Sequence, residues 1–203
     1  MERRHGSRAR VCGLHAAPDS PANFVSEGVF LLIRALILLA LIPSASLAEL
    51  QPSVQELMPY MDTVAPCLDE AEDESAAQAC IGVAARACMD AESRNQTTVG
   101  MMFCFMAERE AWDRLLNAEY ASTMDGMRRV DAQEVEHFPQ FANRADSLRT
   151  AQRAWIALRD ADCTLEYAMW GSGSMRQIAG SGCRMRRTAE RTIYLKFLGD
   201  YMR

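Results

Sequence analysis

Six cysteines, Cys67, Cys80, Cys88, Cys104, Cys163 and Cys183, follow an export-type leader, and that pairing of features constrains the fold more than any other. An even number of cysteines in an exported chain predicts three disulfides. The leader is read from Arg34, the apolar run 35–42, Pro43 and the small-residue stretch 44–48, with cleavage expected after Ala48. The apolar run is far short of the roughly 20 residues a membrane span needs, so no span is expected once the leader is removed. Residues 29–48 are therefore assigned to the signal peptide. Residues 1–28, basic and without periodicity, are assigned to an extension that is either untranslated, with Val25 or Val29 as the initiator, or disordered as a long n-region. The seventh cysteine, Cys12, falls in this extension, and no cysteine stands directly after Ala48 to carry a lipid.

The remainder, residues 49–203, is expected to be one helical domain. Its Ala-, Met- and Arg-rich composition with few β-branched runs favours helix over strand. The leader takes five of the 22 basic and three of the 27 acidic residues with it, so the mature part carries a net charge near −7. Such a domain repels nucleic acid and steers toward cationic partners.

Apolar spacing predicts five helices. The first covers 53–70, with breaks or kinks at Pro59 and Pro66, and a polar turn follows over 69–75. The second is 76–91. Gly100 is read as a breaker before the third, 101–127, whose methionines Met101, Met102, Met106, Met124 and Met127 are expected mainly in the core, with an adaptable binding surface as the rival reading. A short polar segment, 131–138, ends at Pro139. The fourth helix is 143–170, with Leu148, Ala151, Trp155, Leu158, Leu165 and Met169 as its buried seam. Gly171, Ser172, Gly173 and Ser174 break it. The last helix runs 175–202, with Gly180 and Gly182 weakening its start. The fold class is thus all-α: a small antiparallel bundle of about five helices stapled by three disulfides. Six cysteines allow fifteen pairings. Helical hairpins narrow them, because 67 and 80, 88 and 104, and 163 and 183 each flank one turn, which makes sequential pairing the expectation.

Recognisable chemistry is scarce. His137 is the one histidine after the leader, no cysteines have C-x-x-C spacing, and neither a G-x-S-x-G elbow nor a P-loop occurs. His137-Phe138-Pro139 reads as a helix end. Asn95-Gln96-Thr97 fits a glycosylation sequon, a short and weak match. The run 69–74 is acidic but lacks the spacing of a calcium loop. A carboxylate glycosidase would need two acids about 5–10 Å apart, and among so many acids the sequence singles out no pair. No catalytic, cofactor or metal residue is therefore assigned, and the chain is read as a non-enzyme.

The C-terminal third holds the most specific constellation: Gln152, Trp155, Arg159, Asp160 and Cys163 before the Gly/Ser turn, then Cys183, Thr188, Arg191 and Leu195 after it. Trp155 and Arg159 share a helix face. Asp162, on the expected seam, needs a partner such as Arg187 or Arg191. Upstream, Cys88, Cys104, Glu108, Trp112, Asn117 and Tyr120 follow in order. Together, over about residues 88–198, these resemble the N-terminal domain of the LprI-type lysozyme inhibitors, small exported bacterial envelope proteins. The family's namesake is a lipoprotein, so the missing lipidation cysteine is a departure, and the Cys67–Cys80 segment looks like an added hairpin. The resemblance implies a periplasmic or secreted protein-binding domain that inhibits lysozyme-type muramidases. The alternative is a structural or adaptor protein of the envelope without inhibitory activity. The expected partner is a protein, in the first reading a cationic lysozyme, and the expected contact is the turn formed by Trp170, Gly171, Ser172, Gly173 and Ser174.

Overall fold

A computed structural model describes residues 50–201. The extension 1–28 and the leader 29–48 lie outside the described residues. Within them every regular element is helical. Seven α-helices follow in order: α1 (Pro52–Gln55), α2 (Val64–Glu70), α3 (Glu74–Ala79), α4 (Val83–Ala91), α5 (Thr98–Glu134), α6 (Arg144–Ala168) and α7 (Met175–Tyr201), with single 3-10 stretches at Met58–Thr63, Ser93–Gln96 and Pro139–Phe141.

The N-terminal quarter is more broken than its apolar spacing suggested. The first expected helix divides into α1, a 3-10 stretch beginning at Met58-Pro59, and α2. Pro59 lacks an N–H and fits only a helix start. Pro66 does not interrupt α2, because it lies in the first turn, where no intrahelical donor is needed. The second expected helix divides at Gly82, which adopts a left-handed φ of 81° that suits glycine. These pieces wrap the first half of α5. Val54, Leu57, Met61, Val64, Leu68, Ala77, Ala84 and Ala85 bury against Trp112, Ala107, Met185, Ala189 and Ile193.

The third helix is longer than expected at both ends, Thr98–Glu134 rather than 101–127, and absorbs the first half of the polar stretch 131–138. Gly100 is not a breaker. It sits in the first turn, where a Cβ would lie 2.4 Å from the Arg94 carbonyl oxygen. Glycine is there for close approach, and the Thr97 hydroxyl caps the helix by accepting from the Gly100 N–H. Likewise α7 begins at Met175, through Gly180 and Gly182, both buried against aromatic rings of Tyr167 and Phe105.

α7 packs along α5 over most of its length, α6 packs chiefly on α7, and α6 meets α5 least. A second apolar cluster, Leu116, Met124, Met127, Leu148 and Leu195, joins the three. The disulfides are Cys67–Cys80, Cys88–Cys104 and Cys163–Cys183, the sequential set, with Cα–Cα distances of 5.9, 5.9 and 5.4 Å.

The seam expected for α6 holds at Leu148 and Trp155 and fails at Ala151, Leu158, Leu165 and Met169. Leu158, Leu165 and Met169 are 59%, 62% and 77% exposed, and Ala151 is exposed too. The face turned inward is Leu148, Gln152, Trp155, Arg159 and Cys163, of which only Leu148 and Cys163 are fully buried. The Cys163–Cys183 bond and the burial of Leu148 fix the helix's rotation, and apolar content does not override them.

Candidate functional site

The motif residues divide into a buried set, a half-buried cluster and an exposed tip. Trp112 is fully buried, and its indole Nε1 donates to Glu108 Oε1 at 2.9 Å. The same Glu108 oxygen accepts from the Gly82 N–H at 2.7 Å, and Oε2 accepts from the Ala85 N–H at 2.6 Å. Gly82 is the N-cap of α4, so a fully buried carboxylate caps that helix from a neighbouring one. Three donors and the helix dipole stabilise a charge that would otherwise be costly to bury. Sequence reading noted Glu108 without finding this role, because its partners are backbone N–H groups distant in sequence. Thr188 and Leu195 are buried on α7, where Thr188 donates to the Arg184 carbonyl and Leu195 packs with Leu116. Asn117 is exposed and its amide reaches only Asp113. Asn95 of the sequon is buried and donates to the Cys88 carbonyl at 2.9 Å, so its side chain is a structural brace.

Between α6 and α7 the motif converges. Arg191 Nε donates to Gln152 Oε1 at 2.9 Å. Its guanidinium carbon lies 5.8 Å from the centre of the Trp155 ring and 4.9 Å from that of Tyr194, and Arg159 lies 5.0 Å from Trp155. These are stacking contacts suited to a planar guanidinium. Desolvation lowers the Arg191 pKa from its ordinary value, while Tyr194 and Tyr120 oppose the shift. Its Nη2 is buried without a hydrogen-bond partner. Asp162 pairs with Arg187 at 3.2 Å rather than with Arg191, and Asp160 turns outward to Arg159 at 2.9 Å. The Arg191–Gln152 hydrogen bond and the Arg187–Asp162 ion pair fasten α6 to α7, and no nucleophile stands beside a base in this cluster.

The chain belongs to the LprI lysozyme-inhibitor family. The family described as "Lysozyme inhibitor LprI" matches residues 88–195, more than half of the chain. An uncharacterized protein of Rhizobium meliloti (strain 1021) is 34% identical over 95 residues, covering 47% of this chain and 68% of that protein. No solved structure matches. The LprI-family segment begins at Cys88 and ends at Leu195, so it contains two of the three disulfides, the Glu108–Trp112 pair and the Trp155 cluster, and it excludes the Cys67–Cys80 hairpin and the Gly82 and Ala85 donors to Glu108. The family is one of inhibitors rather than catalysts, and the three disulfides suit an oxidising compartment. No helix of the described residues is long and apolar enough to cross a membrane.

The turn 170–174 stands apart from the motif cluster. Trp170 is 48% exposed, Gly171 has a left-handed φ of 52°, and the exposed Met169 and Met175 flank the turn. It joins α6 to α7 beyond the Cys163–Cys183 bond.

Proposed function

We propose that this is an exported envelope protein whose helical domain, residues 49–203, binds and inhibits a lysozyme-type muramidase. The observation that carries the reading is the family match over residues 88–195. A net charge near −7 after leader removal favours encounter with a cationic enzyme. The contact is the tip Trp170–Ser174 with Met169 and Met175. It offers exposed large apolar side chains on a hairpin held by a disulfide, and interface energy concentrates in such aromatic anchors. Titrating the oxidised protein against lysozyme at low and high salt tests this. Near-stoichiometric inhibition that weakens with salt is expected, and Trp170→Ala should weaken it roughly 30-fold, as for a hot-spot anchor. Full lysis at every ratio and both salts would end the proposal.

One observation favours the adaptor reading. Helix α6 presents Leu158 and Leu165 to solvent, with Met169 just past its end, an apolar surface of the kind that marks protein contacts. Absence of inhibition together with stable association with an envelope protein, abolished by Leu158→Glu, would put that reading first.

A further inference from the structure

Because α6 leans on α7 and hardly on α5, a gap remains between the three helices beside the Cys163–Cys183 bond. It is a cavity of about 370 Å³, within the size range of small-molecule sites. One stripe of α5, Met102, Met106 and Arg109, forms one wall at four- and three-residue steps. The facing wall from α7 is Gln177, Ser181 and Arg184, again at four- and three-residue steps. Tyr167 of α6 closes the side, its ring packed on Gly180.

Two of the residues that line this cavity, Arg109 and Arg184, are cationic. Arg159, Arg186 and Arg187 each have a carboxylate partner within 3.5 Å. Arg184, like Arg153, Arg176 and Arg191 of the same hairpin, has no ion pair among the described residues. Arg109 reaches only Glu110, at 3.8 Å, and its Nε is buried with no hydrogen-bond partner. No Asp or Glu lines the cavity, although the domain as a whole is acidic. A buried guanidinium N–H without an acceptor is costly, and a carboxylate supplies the missing acceptor in a planar, charge-assisted geometry. The two methionines offer an adaptable apolar bed beside it.

We propose that this cavity binds a small amphipathic monocarboxylate, its head between Arg109 and Arg184 and its apolar body on Met102, Met106 and Tyr167. The site is independent of the Trp170 tip and of any inhibition of lysozyme. Calorimetric titration of the oxidised protein with sodium octanoate at neutral pH tests it, with octanol and inorganic phosphate as controls. Saturable one-to-one binding of octanoate is expected, with both controls weaker. Arg184→Gln is an exposed change that leaves the fold intact, and Arg109→Gln removes the buried donor. Each should weaken octanoate about tenfold, the cost of losing a charged hydrogen-bond partner, without changing octanol binding. Met106→Trp should fill the cavity and block binding at an unchanged helical signal. The proposal is overturned if octanoate does not bind, if octanol binds equally well, if phosphate binds as tightly as octanoate, or if the arginine variants bind octanoate like the parent.

Discussion

The short helices of the N-terminal quarter and helix α6 are both layers laid on the α5–α7 pair, yet they are held by different physics. The short helices bury Val54, Leu57, Met61, Val64 and Leu68 within a few percent of full burial and carry two disulfides, one to each other and one to α5. Helix α6 has 25 residues but fully buries only Leu148 and Cys163. Its attachment rests on one disulfide, the Arg191–Gln152 hydrogen bond, and ion pairs of Arg186 and Arg187 with Glu166 and Asp162 that are largely solvent-exposed. Exposed pairs contribute only about 0–1 kcal/mol each, so covalent and polar fastening in α6 stands in for the apolar burial found at the other layer. A layer held this way can leave a cavity beside it and an apolar face outside it, and α6 has both.

The largest difference between the two layers is expected at Trp112. It belongs to the well-buried side, and Trp112→Ala should cost about 3–5 kcal/mol and leave Glu108 without one of its three donors. Thermal unfolding checks this, and a loss below about 1 kcal/mol would mean the first layer is no better packed than the second. Next comes the double variant Cys163→Ser with Cys183→Ser. Opening that loop should cost about 3 kcal/mol, and hydrogen exchange should accelerate in α6 while α2–α4 stay protected. Equal acceleration in both layers would show that the two are held alike.

The smallest effect is at the start of α6. Asp131 on α5 accepts from the Arg144 and Ala145 N–H groups at 3.1 and 2.9 Å and pairs with the Arg144 guanidinium at 3.1 Å. Desolvation raises its pKa, but the two backbone donors and Arg144 outweigh it and hold the carboxyl below its ordinary value. A carboxyl with a depressed folded pKa adds stability that is complete above its unfolded pKa, about 3.9, and is lost as pH falls through the folded value. Asp131→Asn should therefore cost about 1 kcal/mol at neutral pH, as for a lost helix cap, and the difference from the parent should shrink as pH drops below about 4. A difference that is constant between pH 7 and pH 3 would show that the charge of Asp131 contributes nothing.

Much of this was legible in the chain. Helical composition, the order of the long helices, the three sequential disulfides and the family all follow from local spacing, because cysteines that flank one helical turn have few other partners within reach. The motif's roles were only half legible. Trp155 and Arg159 share a face by their four-residue spacing alone, whereas Glu108's bonds to Gly82 and Ala85 join residues 26 and 23 positions apart and leave no periodic signal. The short helices 50–97 escaped for a similar reason: their apolar spacing reads through Gly82, and only the left-handed turn there, fitted to the surface of α5 and α7, divides the run.

Local sequence alone makes this protein helical, cross-linked and built on an LprI-family frame, since secondary structure and hairpin pairing depend on neighbours a few residues away. Which face of α6 turns inward depends instead on contacts between helices. Leu158 and Leu165 stay in solvent because the rotation that brings Cys163 to Cys183 also carries Leu148 into the core and Gln152 to Arg191.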